Sequence, residues 1–121
     1  MIYYACIAFF MLTTSNEVTV TATIYHAVEG QTDSTPNLTA TMFEIDLSNP
    51  RKHNIIAVSR DLESMGFKMN QKVLIQGAGD LSGEWIIRDR MNKRFTKRID
   101  FLVNTTRKGG KWENVKISLI K

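Results

Sequence analysis

The strongest constraint on this chain is a series of short, strand-like runs separated by turn residues, with weak helical periodicity throughout. In EVTVTATIYHA (17–27), Val18, Val20, Ala22 and Ile24 alternate with threonines, the period of a strand buried on one face. GQTDSTPN (30–37) has the composition of a loop, in which Asp33 suits a turn-capping position. LTATMFEIDL (38–47) reads as a further strand, and Pro50 in the following SNPRKHN lacks the amide a strand needs. IIAVS (55–59) runs into RDLESMG, a one- or two-turn helix that Ser59 is placed to cap and Gly66 to end. QKVLIQGAGD, GEWIIRD, RIDFLVN and KWENVKISLIK each contain another strand. Six or seven strands with one small helix predict an all-β domain. Closure into a barrel is expected, because an open sheet of this size would leave its edges unpaired.

A chain of 121 residues is long enough for one domain and one hydrophobic core. Residues 17–121 are expected to form that domain, preceded by an apolar leader at 1–16. MIYYACIAFFML (1–12) is uninterrupted by charge. It is too short to span a bilayer, so no stable membrane span is expected, but it matches the apolar region of a secretory signal. The expected location is therefore the cell envelope, the periplasm or the exterior. Against this, no Lys or Arg follows Met1 and no Ala-x-Ala cleavage site is visible, and a first core strand is the alternative. Cys6 is the sole cysteine, so no disulfide forms within the chain. His26 and His53 stand apart from other ligand residues, and neither metal nor other cofactor is expected.

The charge is uneven. The net charge is +4, yet none of the 16 Lys and Arg precedes Arg51. Such asymmetry suits an anionic partner: nucleic acid, an anionic membrane or an anionic wall polymer. It is sharpest in RDRMNKRFTKRID (88–100), where Asp89 and Asp100 lie among Arg88, Arg90, Lys93, Arg94, Lys97 and Arg98. A solvated loop, an anion-binding patch and a catalytic carboxylate in a groove all fit this pattern.

IIAVSRDLESMGFKMNQKVLIQG, followed by GEWIIRDRMNKRFTKRIDFLV, resembles the three-aspartate (3D) domain, a six-stranded double-psi β-barrel. That barrel also forms the catalytic domain of the lytic transglycosylase A family, and rare lipoprotein A and the expansins have related barrels. TVTATIYHAVEGQTDSTPNLTAT is similar to the family's opening strand and loop, so the resemblance covers nearly everything beyond the leader. It implies that Asp100 is an acid/base on the MurNAc–GlcNAc β-1,4 bond of peptidoglycan and that Asp89 is the second family aspartate beside it. Ser59 stands where the family has another aspartate, with Asp61 two places later, and Arg90, Met91 and Asn92 stand where a pair of glycines is common. The resemblance also implies groove positions for Thr39 and Asp33, and Arg98 is expected to pair with Asp89 and leave Asp100 protonated.

One carboxyl group can serve such a reaction twice, first as acid and then as base. Hydrolysis instead uses two carboxyls roughly 5 to 9.5 Å apart. The expected partner is a peptidoglycan glycan strand, met by a monomer of bacterial or phage origin. An expansin-like module that binds wall glycans without cleaving them is the alternative. Nucleic-acid binding through the basic patch and Phe95 is less favoured. Trp85 and Trp112 are expected in the core.

Overall fold

The computed structural model describes residues 17–28 and 38–120; the apolar leader and Asp33 lie outside the described residues. Six strands close into a barrel: β1 (Val18–Tyr25), β2 (Ile55–Val58), β3 (Lys72–Gln76), β4 (Gly83–Arg90), β5 (Arg98–Leu102) and β6 (Lys111–Leu119). Around the barrel they follow the order β1-β5-β2-β4-β3-β6. β1 and β5 run parallel, as do β2 and β4, and the other neighbours are antiparallel. Exchanging β1, β2 and β3 with β4, β5 and β6 maps this order and its parallel pairs onto themselves. The two halves are therefore interlocked rather than side by side, in agreement with the double-psi architecture expected above.

Alternation along β1 works as the sequence implies. Val20 and Ala22 are buried in the interior, with Val18 and Ile24 packed against the same cluster. Trp85 and Phe101 meet there at 4.6 Å between ring centroids, and the Trp85 indole N–H donates to the Leu81 carbonyl at 2.8 Å. The short helix α1 (Arg60–Ser64) adds Leu62, with no exposed surface, to this cluster. Gly66 ends α1 at φ +108°, and the next amide, of Phe67, returns to the Leu62 carbonyl at 3.0 Å. An L side chain is strained at that angle even though an added Cβ would meet nothing within 4 Å. Gly66→Ala is therefore expected to lower stability by about 1–2 kcal/mol, read from the shift of a denaturant midpoint. An unchanged midpoint would show that this turn relaxes freely.

A second apolar cluster lies on the outside of the barrel wall. Tyr25, Ala27, Ile45, Ile55, Ala57, Met91 and Leu102 form it, with Phe43 and Phe95 packed against them. One cover of this wall is the segment 38–47, which corrects the strand expected there. It makes a single bridge, Leu38 to Glu44, around a tight turn. The cause is local: the Thr39 hydroxyl accepts the amides of Thr41 at 3.3 Å and Phe43 at 3.1 Å, and Met42 adopts φ 64°. A threonine side chain that takes up neighbouring amides competes with the ladder those amides would otherwise join.

Candidate functional site

Strand register places four side chains in one row. Thr23 on β1 faces Asp100 on β5, Asp100 faces Ala57 on β2, and Ala57 faces Asp89 on β4. Paired residues project to the same side of a sheet, and their chain neighbours project to the other. Ala22, Ile99 and Val58 fill the interior, so the row lies on the outer wall. The backbones of Asp89 and Asp100 are two strand spacings apart, roughly 10 Å.

Asp89 reaches this wall through an irregularity in β4. Ile56 faces Ile87 but Ala57 faces Asp89, so Arg88 is an extra residue in the ladder. With unbroken alternation after Trp85 and Ile87, both interior, Asp89 would have pointed into the core. Its Oδ1 accepts the amides of Ala40 at 3.2 Å and Arg90 at 3.0 Å, which ties the 39–43 turn to the barrel.

The Asp100 carboxylate accepts the Thr23 hydroxyl. Burial raises its pKa above the ordinary carboxylate value, against the opposing effects of the Thr23 hydrogen bond and the Arg98 charge. Tyr25 closes the arrangement. Its hydroxyl lies 3.4 Å from Asp89 Oδ2, and burial, followed by the charges of Asp89 and Asp100, pushes its pKa well above that of an ordinary phenol. Tyr25 thus stays a proton donor beside both carboxylates.

The surrounding cations are largely directed elsewhere. Arg90 forks onto Glu63 at 2.8 and 2.9 Å. Arg88 donates to Asn70 at 2.9 Å and lies over the Phe43 ring. Lys93, Arg94 and Lys97 are exposed on the β4–β5 loop. Arg98 stacks 4.7 Å from the centre of Phe95, and its Nη2 is 3.5 Å from the Thr23 hydroxyl. Its charge acts on Asp100 and opposes the protonation expected of that carboxyl. Phe95 is flanked by Arg94 as well, also at 4.7 Å.

Three other residues singled out in the sequence support backbone. Ser59 is wholly buried, and its hydroxyl accepts the Arg98 amide at 3.0 Å. Thr39 is 4% exposed and organises its own turn. Asp61 accepts the Lys97 amide at 2.9 Å. Burial alone would raise its pKa, but hydrogen bonds from the Ser59 side chain and the Lys97 amide outweigh this and leave it below the usual carboxylate range. These side chains fix the start of β5 and the flanking turn. Thr23 was missed as a site residue, although the outward threonines of β1 were legible; what was hidden was the parallel register with β5.

Two cavities of about 200 Å³ open elsewhere, and neither is lined by Asp89 or Asp100. Among the described residues no His, Cys, Asp and Glu cluster could hold a metal ion, and no helix is long and apolar enough to cross a membrane. No family model matches the chain, and no curated protein sequence matches it. Among solved structures it is similar to the Streptomyces papain inhibitor (SPI), with a TM-score of 0.57 and 16% identity over 88% of this chain and 96% of that one. At that identity the likeness is one of fold: both chains build the same kind of small closed barrel.

Proposed function

We propose that the outer wall around Asp100 is an acid/base site for glycan cleavage, with the MurNAc–GlcNAc β-1,4 bond of peptidoglycan as its substrate. The observation that carries this reading is the position of Asp100: a half-buried carboxyl on the outer wall, in one row with Asp89 and hydrogen-bonded to Thr23, where burial favours its proton. The choice of peptidoglycan rests on the motif resemblance. Protonated Asp100 gives its proton to the glycosidic oxygen as the C1–O bond breaks. The resulting carboxylate takes the proton of the muramyl C6 hydroxyl as that oxygen bonds to C1, closing a 1,6-anhydro ring and restoring the acid. Asp89, whose Oδ1 accepts two amides, lies in the same row and supplies the oxygens that favour the positive charge developing on the sugar ring. The exposed cations of the β4–β5 loop face the anionic wall, and a cell-envelope location follows from the same reading.

Digesting purified sacculi and identifying the soluble products by mass spectrometry tests the proposal. Anhydro-muramyl products are expected; ordinary reducing ends would point to hydrolysis by the Asp89–Asp100 pair. A non-catalytic, glycan-binding wall is the second reading, favoured by the bonding of Asp89 to amides and by cavities that form away from the row. Retention on sacculi with no released muropeptides would replace the first reading with the second. Potent inhibition of papain, the activity named for the structural neighbour, would overturn both.

Tyr25→Phe removes a hydroxyl beside both carboxylates. The variant is expected to turn over about ten-fold more slowly, in keeping with the ~1.5–3 kcal/mol of a hydrogen bond to a charged group weakened by its length. KM should change little. Equal rates for the two proteins on sacculi would remove Tyr25 from the site.

A further inference from the structure

At the end of the barrel where β1 and β5 finish, three loops line one of the 200 Å³ cavities, which is open to solvent. Arg51 comes from the 3-10 turn before β2, Asp80 and Leu81 from the turn between β3 and β4, and Asn104, Thr106 and Arg107 from the loop after β5. This cavity has no part in the acid/base chemistry proposed above.

Its two arginines are in different electrostatic states. Arg107 is neutralised, donating to Asp80 through two bonds of 2.5 and 3.2 Å. Arg51 is not: none of the ion pairs among the described residues includes it. The Arg51 guanidinium is nevertheless partly removed from water, lying 4.2 Å from the centre of the Trp85 ring and donating to the Asn54 side chain. Its backbone is fixed as well, since its amide donates to Asn104 Oδ1 at 2.9 Å. Burial lowers its pKa from the ordinary arginine value; Asp80 opposes this and the neighbouring Arg107 adds to it. A partly desolvated guanidinium that shares the Asp80 charge with a second arginine, and itself belongs to no ion pair among the described residues, lines a 200 Å³ cavity that an anion can fill and be held in. The fixed charges there sum to +1: two arginines less one aspartate.

We infer that this cavity is an oxyanion site for a phosphoryl group, bound by Arg51 and Arg107 with the Thr106 hydroxyl as a third donor. The donors come from two segments, Arg51 from one and the neighbours Thr106 and Arg107 from the other, and a tetrahedral group has oxygens for all three. A planar carboxylate is satisfied by one guanidinium fork and has no use for the third donor. The phosphoryl group belongs either to a free phosphate or monoester, or to a phosphodiester polymer.

Each arginine lies over a tryptophan, Arg51 over Trp85 and Arg107 over Trp112, so tryptophan fluorescence of the full chain reports occupancy. Inorganic phosphate, dimethyl phosphate and acetate are titrated at constant ionic strength, with thermal stability as a second readout. Saturable changes with inorganic phosphate, at least ten-fold weaker in Arg51→Gln and in Arg107→Gln, are expected, with no saturation by acetate. Dimethyl phosphate binding as well as phosphate assigns a diester source, and phosphate alone assigns a monoester; either outcome supports the site. Thr106→Val, whose side chain is exposed, should weaken binding several-fold without moving the melting temperature of the free protein, and it carries the test if an arginine variant fails to fold. The proposal is overturned if acetate saturates equally well, if chloride reproduces the phosphate curve, or if Thr106→Val and the folded arginine variants titrate like the parent.

Discussion

Asp100→Asn is expected to lower the rate of muropeptide release by about 10²- to 10⁴-fold, the usual contribution of a positioned general acid. The folded structure should survive, because an asparagine side chain can still accept the Thr23 hydroxyl that Asp100 accepts. Stability then separates a catalytic loss from a structural one, and its pH dependence has a defined sign. Burial raises the Asp100 pKa in the folded state, so the folded protein holds this proton to higher pH than the unfolded chain does. The parent therefore has its full stability from this group below the unfolded aspartate value, about 3.9, and loses it as pH rises through the folded value. Asparagine does not titrate. The stability of Asp100→Asn relative to the parent should rise over that window and stay constant above it. Activity of the parent should fall over the same window, since a general acid must carry its proton. Full activity in the asparagine variant would end the acid/base proposal. A stability difference that does not change with pH would show that Asp100 is not desolvated.

The barrel was legible because β strands advertise themselves by alternation, and this chain alternates cleanly in β1, where Val18, Val20, Ala22 and Ile24 turn inward. The short helix was equally plain, with Ser59 at its start and Gly66 at its end. The 38–47 segment misled for a physical reason. Thr39, Thr41 and Phe43 have strand-like side chains, but the Thr39 hydroxyl captures the amides that would have paired. The carboxylate row was legible only in part. The RID segment was recognisable, and Asp100 lies on the outer wall at a central position in β5. Its juxtaposition with Asp89 depends on one extra residue in β4, and no alternation pattern reveals a bulge. Thr23 depends on a parallel pairing between strands separated by 77 positions. The basic cluster was visible in full, yet its consequence was not, because Glu63 and Asn70, which draw Arg90 and Arg88 away from Asp100, come from elsewhere in the chain.

Trp85→Ala should unfold a large fraction of the protein at denaturant concentrations where the parent is still native. Trp85 is 1% exposed, packs at a tilt against Phe101 and donates its indole N–H to the Leu81 carbonyl. Truncating a buried tryptophan to alanine typically costs about 3–5 kcal/mol, against a total of ~5–15 kcal/mol for a domain of ordinary stability. Relaxation is hindered here because the neighbours of Trp85 sit on a closed ladder, where one strand cannot move inward without disturbing the next. Trp85→Phe separates volume from hydrogen bonding. It keeps most of the ring contact and loses the bond to Leu81, for an expected change of about 1–3 kcal/mol. Denaturant midpoints of the three proteins should therefore fall in the order parent, Phe, Ala. The effect also reaches the cavity at the barrel end, because the Trp85 ring carries the Arg51 guanidinium on its face. The Phe variant offers a smaller ring and a weaker cation–π contact, so it should bind phosphate more weakly than the parent while the activity proposed for Asp100 stays intact. Loss of both together in a fully folded Phe variant would mean that the two sites are coupled through the core.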